Sequence, residues 1–168
     1  GPDIPVTPVS WEDIFLPPGL LEDIRRNVVM FFESEARYRE LGIPYRRGLL
    51  LAGAPGCGKT LTLKALAHHT SAKFITVLGK SDVTDGEIQR ALDAAEQFAP
   101  AVVVFEDLDK LIGAKGISLS HFLNLLDGLK TLSGVLVIAT SNEPEKLDPA
   151  LLHRPSRFDR IWTVPLPG

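Results

Sequence analysis

The sequence predicts an α/β sandwich in which a parallel sheet is covered by helices on both faces. Two observations carry that prediction. Five short, nearly continuous apolar runs lie at 49–52, 74–78, 101–105, 135–140 and 161–164, and helical periodicity fills the stretches between them. Strands without polar alternation are buried on both faces, and strands separated by helices are joined by crossovers that leave them parallel. Such sheets bind ligands beyond the carboxyl ends of their strands, so the residues just after each run are the ones to search.

The elements follow in order. Gly1-Pro2 reads as the scar of a cleaved tag and is set aside. Residues 3–18 are proline-rich (Pro5, Pro8, Pro17, Pro18) and read as an extended linker with one amphipathic anchor at 11–15, Trp-Glu-Asp-Ile-Phe. From residue 19 the main domain begins and runs to 168. Leu21, Ile24, Val28, Phe31 and Phe32 recur at helical spacing until Gly42 and Pro44 stop the run. Further helices are expected over 60–69, over 87–99 with Ile88, Ala91, Leu92, Ala95 and Phe98 on one face, and over 118–129 with Phe122, Leu125, Leu126 and Leu129 in register.

Composition excludes several classes. Apolar residues at 45% and charged residues at 23% are ordinary for a globular chain and rule out disorder or a collagen-like fold. Eighteen basic against 21 acidic residues give a net charge of −3, so no overall basic excess calls for nucleic acid. The lone Cys57 has no disulfide partner, which suits a reducing compartment, and the apolar runs fall far short of the roughly 20 residues that cross a bilayer. A soluble, cytoplasmic chain is the expectation.

The first strand runs into Gly53-Ala54-Pro55-Gly56-Cys57-Gly58-Lys59-Thr60, then a helix, which fits the phosphate-loop pattern G-x-x-x-x-G-K-[ST] in its proper context. Glycines let successive backbone N–H groups curl toward an anion, and the helix that follows adds its positive end. Lys59 is placed to meet β- and γ-phosphates, and the Thr60 hydroxyl to ligate Mg²⁺. Residues 53 to 61, Leu61 included, are the candidate nucleotide-binding segment. Cys57 has no visible partner base and reads as a small loop side chain rather than a nucleophile.

The third run ends in Glu106-Asp107-Leu108-Asp109, the position for metal-side carboxylates (Walker B). One acid would hold hydrated Mg²⁺ and the next would orient and deprotonate water. The usual order, Asp then Glu, is reversed here. The fourth run ends at Ser141-Asn142, where the amide either bridges a water and a γ-phosphate or simply makes a turn. Arg154, Arg157 and Arg160 lie within seven residues. They are arginine fingers lent to a neighbouring subunit, or they pair locally with Asp148 and Asp159.

GAPGCGKT at 53–60, VVVFEDLD at 102–109, ATSN at 139–142 and LDPALLHRPSRFDR at 147–160 together resemble the AAA family of ring-forming ATPases. The branch most resembled is that of the mitochondrial chaperone inserting the Rieske iron–sulfur subunit, with its bacterial relatives, because of the Glu-Asp order and the LSHFLNLLDG stretch at 119–128. The resemblance implies the large subdomain of that family, a three-layer P-loop sandwich with a five-stranded sheet ordered 5-1-4-3-2. It places Asp13 and Ile14 where the linker holds adenine through its backbone. Lys59 and Thr60 become the phosphate and Mg²⁺ contacts, Glu106 the metal-side acid, Asp107 the base, Asn142 the first sensor, and Arg154 with Arg157 the finger pair acting in trans.

Departures qualify it. The 79–86 segment lacks the aromatic–hydrophobic–glycine grip of threading unfoldases, and the family's small helical lid and second sensor do not follow the fifth strand. The expectation is the core of an ATPase that binds ATP, ADP and Mg²⁺ and forms hexameric or heptameric rings of full-length chains. It would remodel a macromolecule, expected to be a protein, and hydrolyse ATP weakly as an isolated piece. The competing expectation is an ATP-binding assembly module with little hydrolysis.

Overall fold

Burial explains the three central strands. The computed structural model describes residues 10, 11, 14, 16–113, 116–128, 134–153 and 158–166. In it all of β4 (Val135–Ser141), β3 (Ala101–Glu106) up to Phe105, and the last five residues of β1 (Arg46–Ala52) are buried. Strands covered on both faces need no polar alternation. The edges are β2 (Lys73–Leu78) and β5 (Arg160–Thr163), each only partly covered. All pairs are parallel in the order β2-β3-β4-β1-β5, the expected 5-1-4-3-2 read from the other edge.

Successive strand residues point to opposite faces and so split the interior in two. Val103, Phe105, Val137 and Leu50 pack with Ile88, Leu92 and Ala95 of α4 (Asp85–Gln97) and Phe122 and Leu126 of α6 (Leu119–Asp127). Val102, Val104, Leu136, Leu49 and Leu51 pack with Ile24, Val28 and Phe31 of α1 (Pro18–Glu33) and Leu63 and Leu66 of α3 (Lys59–His69). Two layers of helices on one sheet is the predicted sandwich.

Helix boundaries follow local chemistry. The run expected to continue to Gly42 breaks at Ser34, whose hydroxyl bonds the Met30 carbonyl, and resumes as α2 (Glu35–Leu41). α4 starts two residues before its expected position because Thr84 accepts from the Glu87 amide at 3.2 Å, half of a capping box. It ends at Gln97, so Phe98 leaves the buried face and stands 55% exposed, with the Lys73 ammonium over its ring. Ser118 caps α6 in the same way through the His121 amide. Leu129 lies outside the described residues. Two short helices not expected from periodicity, α5 (Leu108–Leu111) and α7 (Ala150–His153), follow β3 and a 3₁₀ turn (Pro144–Lys146).

Trp11, Ile14 and Leu16 belong to the folded unit. Ile14 and Leu16 are buried in the cluster that holds Leu51, Cys57, Trp162 and Val164. Trp11 stacks on His69 at 4.7 Å between ring centres, and the Arg25 guanidinium lies 4.1 Å from the indole centre on the same residue. Asp23 of α1 then ties the other edge. Its carboxylate accepts the Trp162 indole N–H at 2.9 Å and also pairs with Arg26 and Arg160. The Trp162 hydrogen bond first, then Arg26, holds Asp23 below the usual carboxylate pKa of 3.8. The local pairing considered for Arg160 is therefore corrected: its carboxylate partner is Asp23, on another element. Asp148 accepts the Ala150 amide and Asp159 the Gly48 amide, each at 2.8 Å.

Candidate functional site

The site assembles at the carboxyl ends of β1, β4 and β3. Between β1 and α3 the chain turns through Gly56 at φ +82° and Gly58 at φ +99°, left-handed conformations that side chains resist. Gly53 is needed for space, since a Cβ there would lie 2.5 Å from the Val164 carbonyl oxygen. Ala54 is half-buried, Pro55, Gly56, Thr60 and Leu61 are exposed, and Cys57 is buried in the core cluster. Burial of its thiol agrees with a packing role.

Lys59 is only 6% exposed, and its ammonium donates to the carbonyls of Gly53 and of Ala54 (3.1 Å). An ammonium so buried requires acceptors around it. The lysine thus spans its own loop, at the first turn of α3. One residue on, the Thr60 hydroxyl donates to Glu106 Oε1 at 2.8 Å across 46 residues of sequence. The donor set for a hard cation, a hydroxyl and a carboxylate, is therefore already in contact.

Asp107 follows in a left-handed conformation, φ +63°, among the described residues the one non-glycine with positive φ. Such a backbone costs about 1 kcal/mol or more and clusters at functional positions. Two contacts impose it. The Asp107 amide donates to Thr140 Oγ1 at 2.9 Å. Gly79, just past β2, packs so tightly that a Cβ would lie 2.0 Å from the Asp107 carbonyl oxygen. The Asp107 carboxylate is 18% exposed and lies 3.4 Å from the Lys110 ammonium.

Strand order brings the fourth segment in. β4 sits between β1 and β3, and the Gly53 amide donates to the Ser141 carbonyl at 3.0 Å, so Asn142 emerges between the phosphate loop and the acidic pair. Its backbone amide is held by Asp109 at 2.7 Å. Ile14 is buried, and its neighbour Leu16 lies against Gly58, 3.5 Å from where a Cβ would stand. Asp13, Arg154 and Arg157 lie outside the described residues. The structure thus brings together Gly53 to Leu61, Glu106, Asp107 and Asn142, with Ile14 behind the loop.

Three residues here had no role in the sequence reading: Gly79, Thr140 and Asp109. The last stood inside the quoted acidic motif. Its signal was a carboxylate facing a second strand end that opens a turn at Pro144, where backbone amides need acceptors. A surface recess of about 320 Å³, lined by Tyr38, Ile43, Pro44, Arg46, Arg47 and Asp159, lies at the opposite end of β1 and shares no residue with this site. Among the described residues no helix is long and apolar enough to cross a membrane.

Comparison with known proteins agrees with this geometry. The family described as ATPase family associated with various cellular activities (AAA) matches residues 49–166. A nuclear valosin-containing protein-like protein of Mus musculus is 37% identical over 182 residues, covering 98% of this chain and 21% of that protein. A proteasome-activating nucleotidase of Thermococcus onnurineus (strain NA1) is 37% identical over 178 residues, covering 95% of this chain and 44% of that protein. The chain therefore spans about a fifth of the first relative and under half of the second.

Proposed function

The chain belongs to the AAA family of ATPases and is a nucleotide-binding ATPase domain, and on that premise we propose that it works at subunit interfaces of a ring to remodel a macromolecule. One observation carries the reading. The Thr60 hydroxyl and the Glu106 carboxylate are in contact at 2.8 Å, beside the buried Lys59 and below the strand end that presents Asn142. A hydroxyl and a carboxylate suit Mg²⁺: Thr60 and Glu106 would hold it, and it would supply neutralisation of phosphate charge. The loop amides of residues 53 to 61 and Lys59 bind the phosphates. Asp107 takes the proton of the attacking water, and Asn142 orients that water against the γ-phosphate. Arg154 and Arg157 of one subunit meet the nucleotide of the next. Asp13 and Ile14 hold adenine, for which the burial of Ile14 and Leu16 beside the phosphate loop is the support.

Hexameric or heptameric rings, and a protein as the remodelled partner, extend the same reading to the full-length protein. The archaeal relative's name, a proteasome-activating nucleotidase, supports turnover of nucleotide. Placement in the Rieske-inserting branch rests on the Glu106-Asp107 order and the 119–128 stretch alone. A reducing compartment rests on the single buried Cys57.

Lys59→Ala is expected to weaken ATP binding by about tenfold or more, since it removes a charged donor worth about 1.5–3 kcal/mol. Titration calorimetry on folded protein checks this, and equal affinities for both proteins overturn the phosphate-loop assignment. A second reading has its own support. The Lys110 ammonium 3.4 Å from Asp107 competes for the proposed base, which favours an assembly module that binds ATP and hydrolyses little. Steady-state phosphate release from full-length protein separates the two.

A further inference from the structure

We propose that Asp109 is a positioning residue: it clamps residues 141–143 to the exit of β3 and thereby sets where Asn142 stands relative to Glu106 and Asp107. This inference rests on the hydrolytic reading of the site above.

The β-ladder leaves a gap that Asp109 fills. Pairing between β3 and β4 ends at Phe105 with Ala139, while β1 follows β4 as far as Ser141. On the β3 side, residues 140–143 are therefore held by side chains instead of by strand hydrogen bonds. Asp109 Oδ1 accepts the Ser141 hydroxyl at 2.7 Å. Its Oδ2 accepts the amides of Asn142 at 2.7 Å and Glu143 at 3.1 Å. Three donors from three successive residues converge on one carboxylate, and hydrogen bonds to an ionised acceptor are the strong ones.

The clamp is crossed. Asp109, from the β3 side, takes donors from the β4 side, and Thr140, from the β4 side, takes the Asp107 amide at 2.9 Å. Sliding one strand exit along the other breaks both sets. Ser141 is fully buried, so losing its acceptor leaves a hydroxyl unpaired in the interior. Among the described ion pairs none involves Asp109; Lys110 pairs with Asp107 and Lys146 with Glu143. Two backbone amides and the Ser141 hydroxyl hold this carboxylate, and Lys146 feels its charge. Both oxygens of Asp109 are engaged by residues 141–143, so its influence passes through Asn142.

The test uses full-length protein and reads kcat, KM for ATP, ATP affinity by calorimetry, and hydrogen exchange at the amides of Asn142 and Glu143. Asp109→Ala is expected to lower kcat on the order of 10²-fold, the cost of misplacing a catalytic group by about an ångström, while ATP affinity holds. Exchange at both amides should quicken. Asp109→Asn rescues: its carbonyl accepts both amides and its NH₂ donates to the Ser141 oxygen, so kcat stays within about threefold. Ser141→Ala removes one bond and falls between.

Asp109→Ala with full kcat, alongside a slowed Asn142→Ala, overturns the clamp and leaves the ATPase reading standing. Full turnover in both Asn142→Ala and Asp107→Asn overturns that reading and the clamp with it. If Asp109→Ala does not fold, Ser141→Ala decides, and unchanged kcat and exchange in that variant overturn the proposal.

Discussion

Full-length rings carrying Arg154→Ala and Arg157→Ala are expected to lose turnover by about 10³-fold or more and to bind ATP as tightly as the parent. A finger stabilises charge that develops mainly in the transition state, so its removal spares the ground state. Of the carboxylates offered as local partners, Asp148 accepts the Ala150 amide and Asp159 the Gly48 amide, each through one oxygen. The third arginine of the cluster, Arg160, pairs with Asp23. Mixing is the decisive measurement. Arginine-deficient subunits combined with Asp107→Asn subunits make some interfaces with both defects and others with neither, so phosphate release should return although each parent is inactive. An active double variant defeats the trans assignment. Local surface pairing would instead cost about 0–1 kcal/mol of stability per pair and leave turnover intact.

Asp107→Asn should lower kcat by about 10²–10⁴-fold, the usual contribution of a positioned base, with ATP affinity retained. The substitution is chemically clean at this position. Asp107 sits at φ +63°, and aspartate and asparagine both accept that conformation, so the backbone locked by Gly79 and Thr140 need not move. What disappears is the capacity to take a proton. Steady-state phosphate release and calorimetry on the same preparation check both halves. Undiminished release removes Asp107 from the mechanism, and low release from parent and variant alike selects the assembly module.

Features written in contiguous residues were legible beforehand. The central strands announce themselves because burial on both faces leaves no polar alternation, and the phosphate loop because its glycines, Lys59 and Thr60 stand in one stretch. The order of the strands came from the family resemblance, since apolar runs do not say which neighbours which. Misreadings arose where a local competitor outweighed periodicity. Ser34 bonds backward and splits a helix whose second half has no buried residues. Phe98 has helical spacing, yet Pro100 ends the helix before it and turns the ring outward. The contacts of Asp109 with Asn142 and of Arg160 with Asp23 join residues 33 and 137 positions apart, and no local pattern records such a meeting.

The chain has two tryptophans, and the fold puts them in opposite circumstances. Trp162 is 5% exposed, with its indole N–H bonded to Asp23 and the Arg160 guanidinium 5.3 Å from its ring centre. Trp11 is partly exposed and lies against the His69 ring and the Arg25 guanidinium. The emission of the two indoles is therefore expected to differ. Trp162 is expected to emit to the blue, and Trp11 to shift to the red if its contacts with His69 and Arg25 are lost, which emission spectra of the Trp11→Phe and Trp162→Phe variants check. Leu16 lies against Gly58, so a change in Trp11 emission on adding ATP is the expected optical sign that the chain beside the phosphate loop responds to nucleotide.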